Sequence, residues 1–112
     1  MERGEVWWAE LPDPVASEPG FRRPVVIVSS NAFNRSRIRT VSAVVLTSNL
    51  RLSEAPGNIL LAATESGLPK DSVANVSRVV TLDKGFLSRR SGRIPSRRMK
   101  EIDDGLRLAL SL

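Results

Sequence analysis

The eight residues Thr40–Thr47, Thr-Val-Ser-Ala-Val-Val-Leu-Thr, constrain the fold more than any other stretch. They are β-branched and nearly all apolar, which predicts a strand buried on both faces. Residues 24–29 predict a second such strand, opened by Pro24, a position where the missing N–H is tolerated. A chain of 112 residues has one domain's worth of cover for strands of this kind. The other strand signals are short: residues 4–11, 58–62 and 89–94. Residues 72–82 read as strand material, in two pieces broken near 75–77. Ser96 is expected to cap a C-terminal helix, in which Met99, Ile102, Leu106 and Leu110 recur three or four apart. Five to seven short strands with a terminal helix predict a mainly β fold with α, a small, strongly bent sheet or barrel over residues 1–112.

Alternation sorts residues 4–11 into two faces: Val6, Trp8 and Glu10 on one, Glu5, Trp7, Ala9 and Leu11 on the other. The adjacent tryptophans therefore point opposite ways. One belongs in the core; the other fills a subunit interface or stacks on a base. Residues 12–22 hold three prolines and a glycine and cannot continue a strand. Connections usually run about 4–6 residues, and longer ones are often binding loops. Residues 30–39 read as a loop or short helical turn, 48–57 as a loop, 64–70 as a turn, and 83–85 as the start of a helical turn carrying Phe86 and Leu87.

The inventory narrows the chemistry. There is no Cys, His or Tyr. Thiolate sites, His-based general bases and His-metal sites are excluded. Arg and Lys number 17 against 12 Asp and Glu, and only Lys70, Lys84 and Lys100 are lysines. Arginine presents a planar fork that fits phosphate and stacks on bases. Such a chain points to a nucleic acid or an acidic protein as partner, or merely has a solvated basic surface. The longest apolar runs, 25–28 and 43–46, are far short of the about 20 residues a membrane span needs. The N-terminal residues lack the apolar core of a signal peptide, so a cytoplasmic location without membrane attachment is expected.

Several residues could carry chemistry. Arg22 and Arg23 stand where the long loop enters a buried strand. Pro24 restricts Arg23 to extended backbone. The pair either holds a phosphate or simply caps the strand end. Thr47 ends the long strand, and its hydroxyl serves a neighbouring backbone group or a phosphate oxygen. Glu18 is a loop carboxylate. Arg89, Arg90, Arg93, Arg97 and Arg98 form a basic cluster that reads as a solvated face rather than a groove.

The joint pattern says more than any one residue. Residues 4–11, then Ser17-Glu18-Pro19-Gly20, Arg23-Pro24-Val25-Val26-Ile27-Val28, Asn31 and Asn34 resemble the MazF/PemK family of toxin endoribonucleases. The resemblance continues through Leu46-Thr47-Ser48, Lys70-Asp71-Ser72-Val73 and Thr81-Leu82-Asp83-Lys84, and ends with Leu87, Gly92, Arg93, Ile94 and the terminal helix. It implies an SH3-like barrel of the CcdB/MazF type and a homodimer. It implies sequence-specific cleavage of single-stranded mRNA with no metal or other cofactor. The expected products are a 2′,3′-cyclic phosphate and a 5′-hydroxyl. It implies a partner antitoxin with an acidic, flexible tail. The matching positions make Arg23 and Thr47 catalytic and put Ser17, Glu18 and Ser72 in contact with RNA, with Arg22 beside them. The alternatives are a CcdB-like gyrase poison and a non-catalytic RNA-binding barrel. The chain ends Ala109-Leu110-Ser111-Leu112 without the aromatic C-terminus of such a poison, and the Arg-Pro and Thr positions are both present.

Overall fold

A computed structural model describes residues 1–11 and 22–112. Six strands form one antiparallel sheet: β1 (Glu5–Glu10), β2 (Arg22–Ile27), β3 (Thr40–Thr47), β4 (Ile59–Leu61), β5 (Ser72–Asp83) and β6 (Leu87–Arg93). Their order is β4-β5-β3-β2-β1-β6, so the two apolar strands read from sequence lie at the centre. Three helices accompany them: α1 (Asn31–Arg35), α2 (Ala63–Ser66) and α3 (Ser96–Leu110). Single 3₁₀ turns occupy Leu50–Glu54 and Lys84–Phe86. None of the described helices is long and apolar enough to cross a membrane.

The curled sheet buries both faces. On one, Val6, Val26, Val44, Leu46 and Leu61 pack against Met99 and Ile102 of α3, with Trp8 at the margin. On the other, Ala9, Val25, Ile27, Val41, Val45, Leu82 and Leu87 form a second cluster, with Trp7 against it. The alternation read along β1 is therefore correct, and each tryptophan is half-buried on its own side.

Three features differ from expectation. β2 begins at Arg22, two residues before Pro24. Its ladder to β1 runs out to the Glu10–Arg22 pair, whereas its ladder to β3 stops at Val25–Val45. Pro24 has no N–H with which to extend a ladder. β5 is one strand rather than two. Val44 pairs with Val79 and Val45 with Asn75, so residues 76–78 bulge out of the ladder. The Asn58 carboxamide oxygen accepts the Val76 N–H at 3.0 Å, which satisfies a donor that the bulge takes from the ladder. Finally, α3 starts at Ser96 with Pro95 in the cap position and no side-chain cap. Gly105 of α3 lies directly on Gly57, where a Cβ would come within 2.1 Å of the Gly57 carbonyl oxygen.

Candidate functional site

The early end of the β2–β3 ladder creates the site. Beyond Val25–Val45 the two strands run on without pairing, and a cavity of about 280 Å³ lies there. Trp8, Pro24, Leu46, Leu68 and Pro69 give it apolar walls. Arg22, Arg23, Thr47, Ser48, Lys70, Asp71 and Ser72 supply its polar lining. The β2–β3 offset, continued by two residues, sets Arg23 level with Thr47. Thr47 is in turn paired with Val73, which puts Ser72 one step away on β5.

The polar groups are held but not used up. The Thr47 hydroxyl oxygen accepts the Asn49 N–H at 3.2 Å. Its proton is committed to no partner among the described residues, so Thr47 can still donate. Ser72 is 3% exposed, and its hydroxyl has no hydrogen-bond partner there either. A buried hydroxyl normally finds a partner, and this one stands in the cavity wall without one among the described residues. The Arg22 guanidinium carbon stands 4.9 Å from the centre of the Trp8 ring, a cation–π contact, and its Nε is 4.0 Å from Glu10. Asp71 accepts the Ala63 N–H at 2.9 Å and so tethers the start of α2 to the loop that carries Lys70. Among the described residues of the lining, three cations, Arg22, Arg23 and Lys70, face one carboxylate, Asp71.

Glu5, at the far end of β1 from Trp8 and Glu10, is almost fully buried. Burial works to raise its carboxyl. The Glu2 N–H, the Trp7 indole N–H and the Arg90 charge together hold it below the ordinary value.

Four residues anticipated from the sequence thus meet in one cavity: Arg22, Arg23, Thr47 and Ser72. Ser17 and Glu18, with the rest of the Pro-rich segment up to residue 21, lie outside the described residues. Leu46, Pro69 and Lys70 are given no site role by the sequence, and of the two tryptophans, one of which is expected to stack on a base or fill an interface, Trp8 is the one at the cavity. The Trp8 alternation placed it on the right face, but only the β1–β2 pairing of Trp8 with Pro24 brings it to the cavity.

Residues 2–110 match the family described as PemK-like, MazF-like toxin of type II toxin-antitoxin system. The chain belongs to this family. Endoribonuclease MazF6 of Mycobacterium tuberculosis is 47% identical over 112 residues, covering 100% of this chain and 98% of that protein. Endoribonuclease EndoA of Bacillus subtilis is 28% identical over all of this chain and 96% of its own. A mycobacterial endoribonuclease solved in complex with its cognate antitoxin superposes with a TM-score of 0.81 at 28% identity, over 100% of this chain and 96% of that one. The curled sheet with its C-terminal helix is the fold of these MazF toxins.

Proposed function

We propose that this MazF-like toxin, a single domain over residues 1–112, is a sequence-specific endoribonuclease that cuts single-stranded mRNA in the cytoplasm without a metal. The observation that carries the reading is the common cavity of Arg23, Thr47 and the orphaned Ser72 hydroxyl. RNA brings its own nucleophile, the 2′-OH beside the scissile phosphate. The protein has to align that attack and stabilise the charge that builds on the phosphorane. Arg23 supplies a permanent positive charge and a fork of donors. Thr47 donates its free proton to a non-bridging oxygen. Arg22 and Ser72, with Ser17 and Glu18 of the preceding segment, contact the RNA on either side. Expulsion of the 5′-oxygen leaves a 2′,3′-cyclic phosphate and a 5′-hydroxyl.

Two associations complete the proposal: a homodimer, and a cognate antitoxin whose acidic tail competes for the same basic cavity. The antitoxin-bound mycobacterial neighbour supports the second. A disordered acidic segment suits such a surface, and its affinity falls with salt.

The test is incubation of the purified protein with long single-stranded RNA in excess EDTA, followed by mapping of 5′ ends. Cleavage at a recurring short motif, with ends that accept phosphate from a kinase, is expected. Cleavage lost in EDTA, or undiminished in Arg23→Ala, overturns the proposed site.

A further inference from the structure

The arginines of residues 89–98 do not form one surface. Arg93 pairs with Glu2 at 3.2 Å, and Arg97 and Arg98 pair with Glu65 at 3.0 and 2.9 Å. Arg89 and Arg90 instead line a second cleft, of about 260 Å³, together with Trp8, Arg22, Pro69 and Ser91. It shares Trp8, Arg22 and Pro69 with the Arg23–Thr47 cavity, so the two are neighbouring stations of one groove.

We propose that this second cleft holds a nucleotide flanking the cleaved bond, with Arg89 on its phosphate. The identity of the ligand rests on the RNA-cleaving function proposed above. Among the described residues, three cations line the cleft and no carboxylate does. The balancing carboxylates stand outside its lining: Glu10 is 4.0 Å from Arg22, and the buried Glu5 is 3.3 Å from Arg90. Arg89 is exposed and has no such counterpart among the described residues. Its pairing with Trp8 across β1 and β6 sets it beside the Trp8–Arg22 stack. An unpaired guanidinium next to a guanidinium–indole stack suits a phosphodiester and its base: one fork for the phosphate oxygens, one plane for the ring. The wall is fixed, since a Cβ on Gly67 would come within 2.4 Å of the Ser91 carbonyl oxygen, and one on Gly92 within 2.7 Å of that of Ser66. Arg89 is thus a binding residue remote from the reacting atoms, and its contribution belongs to KM rather than kcat.

The experiment titrates the full chain with a fluorescent, fully 2′-O-methylated single-stranded RNA across a range of salt, and measures cleavage of unmodified RNA in parallel. Arg89→Ala is expected to weaken binding roughly three- to tenfold at low salt and to lower the slope of log affinity against log salt by about 0.7, the value for one phosphate contact on a single strand. KM rises and kcat holds. Arg89→Lys keeps the salt slope, and Arg89→Glu binds more weakly than the alanine variant. Unchanged RNA binding and slope in Arg89→Ala and Arg89→Glu overturn the proposal, including the case where both variants lose affinity only for an acidic peptide. If the wild type fails to cleave RNA but Arg89→Ala still weakens binding with the smaller slope, the cleavage reading falls and the cleft stands.

Discussion

The groove end of the sheet and the seam beneath α3 use the same residue type to opposite ends. At the seam, arginines are tied to carboxylates: Arg3 to Asp103, Arg93 to Glu2, Arg97 and Arg98 to Glu65, and Arg98 also to Glu101. Backbones touch there, Gly57 on Gly105. At the groove, Arg22, Arg23, Lys70, Arg89 and Arg90 line two joined cavities whose described linings contain one carboxylate, Asp71, while Glu10 beside Arg22 and Glu5 beside Arg90 stand outside those linings. The net charge of +5 is therefore not spread evenly in effect. Whether carboxylates share the lining with the cations, not arginine count, separates framework from a surface that can take up a polyanion.

The sharpest way to break this contrast is at Arg23. Arg23→Ala is expected to lower RNA cleavage about 10²- to 10³-fold, the usual loss when one donor to a developing oxyanion is removed. Thr47→Val, which keeps the shape and removes the donor, should cost less, about tenfold to a hundredfold. Single-turnover kinetics on a mapped RNA substrate checks both. A large loss of folding stability in place of the kinetic loss would move Arg23 to the framework side.

Legibility followed the range of the interaction. Residues 40–47 and the faces of residues 4–11 were readable because burial and alternation are local properties of a strand. Arg23 and Thr47 were readable as candidates because each sits at a strand end marked by its neighbours. Ser72 gave no local sign of its orphaned hydroxyl, which depends on the packing of β5 beside β4. The break expected near residues 75–77 is a bulge because Asn58, far off in sequence, supplies the missing acceptor. The division of the 89–98 cluster was hidden for the same reason. It follows from β6 pairing with β1 through two register shifts, which sends Arg89 to Trp8 and Arg93 to Glu5.

The framework side has its own tests, with smaller effects. Gly105→Ala forces a Cβ into the Gly57 carbonyl and should cost about 3 kcal/mol of stability, with normal cleavage by the molecules that remain folded. Chemical denaturation and active-site-normalised rates separate the two. Glu65→Ala should cost about 1 kcal/mol, because Glu65 accepts the Ala62 N–H at the start of α2. Its carboxyl is held below the ordinary 4.5 by that N–H first, then by Arg98, against the opposing pull of burial. A carboxyl lowered on folding stabilises the protein above its unfolded value, and the gain is lost as pH falls through the folded value. The wild type should therefore lose stability below about pH 4.5, and Glu65→Ala should lose less over the same range, as melting temperatures against pH would show. Glu5, lowered in the same direction, leaves part of the acid sensitivity in place.

The smallest expected effect bears most directly on whether place or total charge matters. Arg107 pairs with Asp104 one turn away on α3, and both are more than half exposed. Such a pair contributes little in water. Arg107→Ala should shift stability by less than about 0.5 kcal/mol and leave cleavage unchanged. It removes the same unit of charge as Arg89→Ala, from the opposite class of site. If net charge alone drew RNA to the protein, the two variants would lose affinity equally and with the same change in salt dependence. If the groove does the binding, Arg107→Ala should track the wild type across the whole salt range while Arg89→Ala departs from it. Equal losses would dissolve the distinction between framework and groove arginines, and unequal ones would locate the polyanion on the β1–β6 side of the sheet.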